Sequence, residues 1–309
     1  MPLSLVVGLS GGLDSTVLLH LLSQVHQKLP NLFSLRAVHV HHGLQPAADQ
    51  FALQCQELCA DLHVPIEIAR VDIPAQEISD LGLEAAARKY RYQALAQHMN
   101  AHAVLVLAHH RDDLLETALL QWIRGAGLEG LSAMNRFSFN EVTRWRPLLD
   151  YGRADLLAYA SGQGLRWVED PSNSSPDMAR NRIRHEVMPV LRSLRQGADT
   201  AMARSIVHLQ TARELLDLVT EEALRDCEDE PGELAIPALL AEDEALAARI
   251  LRSWLKHQGA PVPPTRRLAE FLRQLRQARE PFAQMDLTDP QTGQLWRVLR
   301  VRDRLRIAR

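Results

Sequence analysis

The stretch that decides the fold reads Leu5-Val6-Val7-Gly8-Leu9-Ser10-Gly11-Gly12-Leu13-Asp14-Ser15, followed by Thr16-Val17-Leu18-Leu19. Its apolar, β-branched start predicts a buried strand, and the residues after Ser15 predict a helix that begins directly at the loop. Two adjacent glycines let the backbone approach a ligand, and the free N–H groups at the helix start attract an anion. We therefore expect a phosphate-binding loop at residues 10–15.

Two common phosphate loops do not fit this stretch. The nucleotide-triphosphatase loop needs a terminal Gly-Lys-Ser/Thr, and the dinucleotide-binding loop needs spaced glycines, whereas Gly11 and Gly12 are adjacent. A plain strand-to-helix turn with Asp14 as a capping acid is the structural alternative. The stretch resembles instead the Ser-Gly-Gly-x-Asp-Ser loop of the ATP pyrophosphatases, enzymes that split ATP between its α and β phosphates.

The pattern around the loop predicts an α/β fold. Predicted strands at residues 5–9, 35–40, 64–71, 103–108 and 145–149 alternate with predicted helices at about 14–28, 46–62, 83–99, from 112, from 152 and at 178–194. Such alternation indicates a parallel sheet with helices on both faces, because parallel strands need long crossover connections. Ligands bind such sheets at the carboxyl ends of the strands.

The second part of the chain has a different pattern. Helices at about 200–226, 242–257 and 264–279 predict a smaller, mostly helical domain, so we divide the chain into residues 1–197 and 198–309. The last segment, Arg300-Val301-Arg302-Asp303-Arg304-Leu305-Arg306-Ile307, has a period of two that would place four arginines on one face of a strand. Two interpretations stay open for it, a face that follows a phosphate backbone and a solvated edge strand.

Composition restricts the class of protein. With 309 residues, 46% hydrophobic and 24% charged, the chain is typical of a globular protein of two domains. It lacks a signal-peptide pattern and any apolar run of about 18 residues, so we expect a cytoplasmic protein with no membrane partner. The net charge of -3 does not exclude RNA, because arginines concentrate at 178–195 and 297–309. Three cysteines form no disulfide framework, and we interpret Cys55 and Cys59 as buried small hydrophobes.

Polar residues follow the ends of two predicted strands. His109, Asp113 and Glu116 follow the fourth strand, and the two acids are three residues apart on one helix face. Carboxylates so placed are typical ligands of Mg²⁺, whereas Asp112 is better explained as a helix N-terminal acid. His39 and His41 end the second strand, and without a fourth ligand they do not indicate zinc.

Arginines provide candidate phosphate contacts. Arg88 opens the third crossover helix, and Arg180, Arg182 and Arg184 are clustered after the turn-rich segment 170–176. Clustered arginines suit phosphates or RNA, although a basic surface helix is the structural alternative.

Taken in order, these segments resemble the tRNA(Ile)-lysidine synthetase family of the ATP pyrophosphatase (PP-loop) superfamily. The resemblance rests on Ser10 to Ser15, His41 to Leu44, Glu84 to Arg88, His109 to Thr117, Arg124-Gly125, Arg146 to Leu149, Asp170 to Asn173 and Arg180 to Arg184. It covers most of residues 4–195 and implies an adenine nucleotide α-hydrolase-like, Rossmann-like catalytic domain. The region 198–309 resembles the family's helical tRNA-binding domain.

The resemblance also implies a reaction. ATP adenylates the wobble cytidine of the tRNA(Ile) with a CAU anticodon, pyrophosphate leaves, and the ε-amine of free L-lysine then displaces AMP to form lysidine. Mg²⁺ is the implied metal. A homodimer is one of the oligomeric states that the sequence leaves open.

Residue roles are carried over from the family to the matching positions. The loop residues Ser10, Gly11, Gly12, Leu13, Asp14 and Ser15 would bind the nucleotide, and Asp14 and Asp113 would organise Mg²⁺. Glu116 would orient the ammonium group of lysine. Charge around the adenylate would be stabilised by His109, Arg88 and Arg182 or Arg184, so the expected catalytic set is Asp14, Arg88, His109, Asp113, Glu116, Arg182 and Arg184.

Two other functions stay open as alternatives. A related PP-loop enzyme could thiolate a tRNA base, but it would need placed cysteines or an iron–sulfur cluster, which Cys55, Cys59 and Cys227 do not provide. An inactive tRNA-binding homologue would keep the fold, and the intact loop and carboxylates argue against it.

Overall fold

The computed structural model describes residues 3–43, 48–100, 102–139, 142–169, 179–277, 284–289 and 292–308. The chain forms two compact units, residues 1–210 and 211–309. The predicted site segment Asp170 to Asn173, together with Leu44, lies outside the described residues. Of the helices in the described ranges, none is long and apolar enough to cross a membrane.

A six-stranded sheet organises the first unit. Its strands are β1 (Leu3–Gly8), β2 (Phe33–His41), β3 (Ile66–Arg70), β4 (Ala103–Val106), β5 (Phe137–Phe139) and β6 (Thr143–Trp145), in the order β3-β2-β1-β4-β6-β5. All neighbours are parallel except β5, which is antiparallel to β6. Strand β1 is central, because Leu5 is aligned with both Leu35 of β2 and Val104 of β4. The loop after β1 therefore opens at the middle of the carboxyl edge.

Helices cover both faces of this sheet. The helices described from residue 13 to residue 194 are α1 (Leu13–Lys28), α2 (Ala48–Asp61), α3 (Ala75–Leu81), α4 (Leu83–Gln97), α5 (Arg111–Ile123), α6 (Leu128–Leu131), α7 (Arg153–Gly162), α8 (Ala179–Arg182), a π-helical turn (Ile183–Val187) and α9 (Met188–Leu194). Helices α1, α2 and α7 pack on one face and α4 on the other. Leu5 and Val7 of β1 pack in the core beneath α1 and α2, whereas Val6 packs with Leu95 of α4. This alternation buries both faces of β1 and confirms the predicted α/β fold.

The sheet edge beyond β4 differs from the prediction. The strand predicted at 145–149 ends at Trp145, and residues 147–150 form a turn. Pro147 has no N–H to donate to a ladder, which explains why pairing stops there. Between α5 and Trp145, where no further helix or strand is predicted, the chain contains α6 and the short strand β5.

The second unit combines helices with an antiparallel sheet. Helix α10 (Ala198–Cys227) spans the division between the units and is followed by α11 (Ile236–Ala241), α12 (Glu244–His257) and α13 (Thr265–Gln277). The sheet contains β7 (Glu228–Glu230), β8 (Glu233–Ala235), β9 (Gln284–Thr288), β10 (Leu295–Val301) and β11 (Arg304–Ala308), in the order β7-β8-β11-β10-β9. Helices α10, α12 and α13 agree with the prediction, whereas α11 and the sheet are not predicted from the sequence.

The single strand predicted at 300–307 is wrong. The chain turns at Arg302 and Asp303, so that Val301 of β10 is aligned with Arg304 of β11. Arg302 adopts a φ of 57°, which the hairpin loop needs and which asparagine or glycine usually supplies. Because residues 302–303 contain neither asparagine nor glycine, the sequence does not indicate a turn there, and one strand was predicted where the structure has two.

The two interpretations of the arginine face also change. Strand β11 lies between β8 and β10, so it is not an edge strand. Arg304 pairs with Asp229 at 3.2 Å, and Arg306 pairs with Glu233 at 2.6 Å. These arginines neutralise acids of β7 and β8 and do not form one row of cations along a strand.

Candidate active site

The loop after β1 is held by its own serines. The Ser10 backbone N–H donates to Ser15 Oγ at 3.2 Å, and the Gly12 N–H donates to Ser10 Oγ at 3.3 Å. Ser15 Oγ in turn donates to the Gly12 carbonyl at 3.1 Å. Leu13 is buried at the first position of α1. The loop thus has a fixed shape at a helix N-terminus, as an anion site requires.

Gly11 is the position of the loop where a side chain is not tolerated. Its φ is 85°, and an added Cβ would lie 3.1 Å from Cys55 Sγ and 3.4 Å from the Phe51 ring. Its carbonyl accepts a hydrogen bond from the Val168 N–H at 3.0 Å. The backbone at Gly11 is therefore fixed both by the segment after α7 and by α2.

Replacing Gly11 by Ala is expected to lower the free energy of unfolding by about 1–3 kcal/mol, because alanine is strained at positive φ and would displace Cys55. Thermal or urea denaturation measures the change. Gly12→Ala is the matched control, since Gly12 has a φ of -79° and the nearest atom to an added Cβ is 3.5 Å away. Equal losses for the two variants would contradict this account of Gly11.

Three acids surround a buried histidine at the start of α5. His110 Nε2 lies 3.6 Å from Asp14 Oδ2 and 3.6 Å from Asp113 Oδ2, and Nδ1 lies 3.6 Å from Asp112 Oδ2. Burial alone would lower the pKa of His110, but Asp14, Asp113 and Asp112 together raise it above its usual value. Burial would likewise raise the pKa of Asp113, but the charge of His110 holds it below its usual value. His110 thus lies between Asp14 of the loop helix and the acids of α5, which favour its charged form.

His110 is a residue that the sequence prediction missed. It precedes α5, and its backbone N–H donates to Asp113 Oδ2 at 3.1 Å. A polar residue before a helix with an acid three positions later is the spacing of a capping box, which could have indicated this contact. Asp112 lies in the first turn of α5, the position predicted for it, and its Oδ2 also accepts the N–H of Arg153, the first residue of α7, at 2.8 Å.

Two carboxylates could hold a metal together with a phosphate. Asp14 Oδ1 is buried and has no hydrogen-bond partner among the described residues, which leaves it available to a cation. The described part of the chain contains no cluster of three or more His, Cys, Asp or Glu side chains suited to a metal. Mg²⁺ commonly takes one or two carboxylates and completes its shell with water and substrate phosphate oxygens. Asp14 and Asp113 fit that mode of binding.

Glu116 of α5 is buried against two arginines. Its side chain is 1% exposed, and its two oxygens accept hydrogen bonds from Arg184 Nε at 2.7 Å and Arg184 Nη2 at 3.0 Å. Arg180 Nε lies 3.3 Å from Glu116 Oε2, and its Nη2 donates to Thr117 Oγ1 at 2.7 Å. Burial raises the pKa of Glu116, and the contact with Arg184 offsets only part of that shift. Arg184 also lies 4.0 Å from Asp113 Oδ1.

The predicted arginines do not all come together. Arg180 and Arg184 are four residues apart and face Glu116, whereas Arg182 is 64% exposed and pairs with Glu186 at 3.3 Å. Residues two apart on a helix point to opposite sides, which explains the separation. Arg180 was part of the recognised cluster but not of the predicted catalytic set.

His109 lies at the end of β4 beside a group of cations. Arg146 Nε donates to His109 Nδ1 at 3.2 Å, and Arg146 Nη1 donates to the Asn135 carbonyl at 2.7 Å. Burial, with the charges of Arg146 and Arg88, lowers the pKa of His109 to about 4. Since Nδ1 accepts a hydrogen bond from an arginine, the neutral ring carries its proton on Nε2. Arg88 is exposed, with its guanidinium 5.1 Å from the centre of the Tyr92 ring.

We expect Arg146→Gln to raise the pKa of His109, because the substitution removes a cation that disfavours the imidazolium. Titration of labelled histidine by NMR measures the pKa of His109. Arg136→Gln is the matched control, because Arg136 pairs with Asp150 and is partly exposed. An unchanged pKa of His109 in Arg146→Gln would contradict the contact.

A cleft adjoins the loop on the side of β2. Its lining includes Gly8 to Ser10, Val38 to His42, Phe51, Arg91 and Leu107. His39 Nδ1 lies 2.9 Å from the Leu9 carbonyl, and His41 Nε2 lies 3.0 Å from Asp49 Oδ1. These contacts give both histidines structural roles at the strand ends.

Comparison with known families identifies the first unit. A model of the PP-loop domain matches residues 2–191, which is more than half of the chain. The chain belongs to the PP-loop family. A second model, the TilS substrate binding domain, matches residues 234–306 of this PP-loop protein. The predicted superfamily is therefore confirmed.

Several curated relatives are similar over most of the chain. A tRNA(Ile)-lysidine synthase of Xanthomonas axonopodis pv. citri (strain 306) is 44% identical over 269 residues, which cover 87% of this chain and 60% of that protein. A tRNA(Ile)-lysidine synthase of Shigella flexneri is 42% identical over 277 residues, which cover 89% of this chain and 63% of that protein. The PP-loop protein thus spans about 60% of the length of the curated relatives that it matches.

A solved structure is similar in fold. The U34-tRNA thiolase NcsA from Methanococcus maripaludis, with its [4Fe-4S] cluster, has a TM-score of 0.57 and 20% sequence identity. The match covers 68% of this chain and 73% of the thiolase. At this identity the match supports the fold alone.

Proposed function

We propose that this PP-loop protein uses ATP to adenylate the wobble cytidine of CAU-anticodon tRNA(Ile) and then attaches free L-lysine at C2. The observation that carries the proposal is the order of two domains in one chain, a PP-loop domain at residues 2–191 and a TilS substrate binding domain at 234–306. The relatives named tRNA(Ile)-lysidine synthase support it, at 44% and 42% identity. Residues 198–309 would bind the tRNA, and a homodimer remains a prediction.

In the first step the C2 carbonyl oxygen of cytidine attacks the α-phosphorus of ATP. A new P–O bond forms, the bond to the β-phosphate oxygen breaks, and pyrophosphate leaves. Such transfers depend on positioning and on neutralising charge around the phosphates. The backbone N–H groups at the start of α1, the guanidinium of Arg184 and the Nε2–H of His109 are the donors that support this step. Mg²⁺, held by Asp14 and Asp113, would neutralise phosphate charge.

In the second step the uncharged ε-amine of lysine attacks C2. The C–N bond forms, the C–O bond to the phosphate breaks, and AMP leaves with the electron pair while the amine loses a proton. The C2 carbon is activated only after adenylation, so nucleotide chemistry must precede lysine transfer.

The decisive assay incubates the 309-residue chain with ATP, Mg²⁺, labelled lysine and the CAU-anticodon tRNA(Ile). We expect incorporation of one lysine with release of one AMP and one pyrophosphate. The methionine elongator tRNA, which has the same anticodon, is the control and should accept no lysine. An absence of both lysine incorporation and pyrophosphate release would instead favour an inactive tRNA-binding homologue.

Base thiolation receives no support from the cysteines. Cys55, Cys59 and Cys227 are all buried, and burial raises the pKa of Cys55 and of Cys59 to about 12. A persulfide carrier or cluster ligand must reach its thiolate form and contact its substrate. We therefore expect no transfer of labelled sulfur to tRNA in a parallel assay.

A further inference from the structure

The Glu116 carboxylate is buried and already contacts two guanidiniums. Both of its oxygens accept hydrogen bonds from Arg184, and Arg180 Nε lies 3.3 Å from Oε2. The side chain is 1% exposed, so an incoming ammonium group would have to displace a guanidinium. A bidentate carboxylate–guanidinium pair is among the strongest side-chain contacts, which makes that exchange unfavourable.

The two arginines come from a segment whose helix is widened at one turn. Arg180 belongs to α8, and Arg184 belongs to the π-helical turn at residues 183–187. Such single π turns are often found at functional sites, where they alter the direction of side chains. Here both guanidiniums point to α5, and Glu116 is the residue that contacts both.

Charges alternate from this segment to the phosphate loop. Arg184 lies 4.0 Å from Asp113, Asp113 lies 3.6 Å from His110, and His110 lies 3.6 Å from Asp14 at the start of α1. The Arg184 side chain remains 26% exposed, and a guanidinium has five N–H donors, of which two bond to Glu116. Three of its donors are therefore not bonded to Glu116, and the guanidinium interacts electrostatically with Asp14 at the start of α1.

We propose that Glu116 is a positioning residue that holds Arg180 and Arg184 against α5, so that Arg184 binds the phosphates of ATP. In this role Glu116 does not bind the ammonium group of lysine. The inference rests on the proposed function, because it assigns Glu116 to the nucleotide step and not to the lysine step. It follows that the loss of Glu116 lowers the rate of adenylation and leaves the KM for lysine unchanged.

The kinetic test compares Glu116→Gln with Glu186→Gln, the matched control. Glu186 also pairs with an arginine of this segment, Arg182, but both side chains are exposed. We expect Glu116→Gln to slow pyrophosphate release at saturating ATP and tRNA at least tenfold, with a KM for lysine within twofold of wild type. Glu186→Gln should change neither quantity. A tenfold higher KM for lysine with normal pyrophosphate release would overturn the proposal.

A second readout does not depend on turnover. The Nε–H of Arg184, bonded to Glu116 at 2.7 Å, should give a protected NMR signal that shifts on addition of ATP and not of lysine. The signal should be lost in Glu116→Gln and kept in Glu186→Gln. A shift with lysine alone would overturn the proposal, even in a protein that fails to form lysidine. If Glu116→Gln does not fold, Arg184→Lys, which keeps the charge and loses the bidentate contact, should give the same kinetic pattern.

Discussion

Replacing Asp14 by Asn is expected to reduce pyrophosphate release by roughly 10²- to 10³-fold or more, because it removes a carboxylate that would hold the Mg²⁺ that neutralises phosphate charge. Asp14 Oδ1 is buried without a partner among the described residues, and Oδ2 lies 3.6 Å from His110. Asparagine has nearly the same shape, so the loss would arise from charge. We expect the free energy of unfolding to change by less than about 1 kcal/mol, because His110 retains its contacts with Asp112 and Asp113.

The measurement combines pyrophosphate release with urea denaturation. Asp155→Asn is the matched control, because Asp155 is also an acid in the first turn of a helix and accepts the Gly152 N–H at 2.7 Å. Asparagine can still accept that bond, so activity and stability should stay near wild type. Normal turnover of Asp14→Asn would remove Asp14 from the site.

Trp254→Ala is expected to have the largest effect on stability. Trp254 of α12 is 0% exposed in a core that includes Leu251 and Phe271, and its Nε1 donates to the Gly232 carbonyl at 3.1 Å. Truncation would leave a cavity and an unpaired carbonyl, and should lower the free energy of unfolding of the second unit by about 3–5 kcal/mol. Hydrogen exchange of α12 in the full chain measures this loss directly.

Trp122→Ala is the control for the tryptophan substitution. Trp122, near the end of α5, is 71% exposed, so we expect its removal to change stability by less than about 0.5 kcal/mol. Similar effects of the two substitutions on exchange within α12 would contradict the buried role of Trp254.

The parts of the fold that the sequence predicts best are those with strong local patterns. Strands β1 and β4 are mostly apolar and β2 alternates apolar with polar residues, and the sequence locates each of them within a few residues of its observed bounds. The position of the 10–15 loop between a strand and a helix is also predictable from the sequence, whereas the backbone at Gly11 depends on the distant Val168. Strand β5 and the 302–303 hairpin have weak local signals and depend on pairing with distant residues, so they were not predicted.

In the candidate site, too, local sequence patterns do not predict contacts between distant residues. The sequence indicates that His109, Asp113 and Glu116 lie at a strand end, but side-chain partners depend on long-range packing. Arg184 reaches Glu116 across 68 positions of sequence, and Arg146 reaches His109 across 37. Nothing in the local pattern distinguishes Arg184 from Arg182. The assigned roles in binding and catalysis therefore remain predictions, which the variants above can test.

The central position of β1 has a consequence for how the protein is made. The strand that carries the phosphate loop needs β2 on one side and β4 on the other, and the Gly11 carbonyl is bonded to Val168. Closing such long loops costs entropy, and contacts between distant residues form slowly. On the ribosome, the apolar β1 must therefore wait for β4 before both of its edges are paired. A nascent chain that ends before Val168 cannot complete the loop, so nucleotide binding should develop only after that residue has been added.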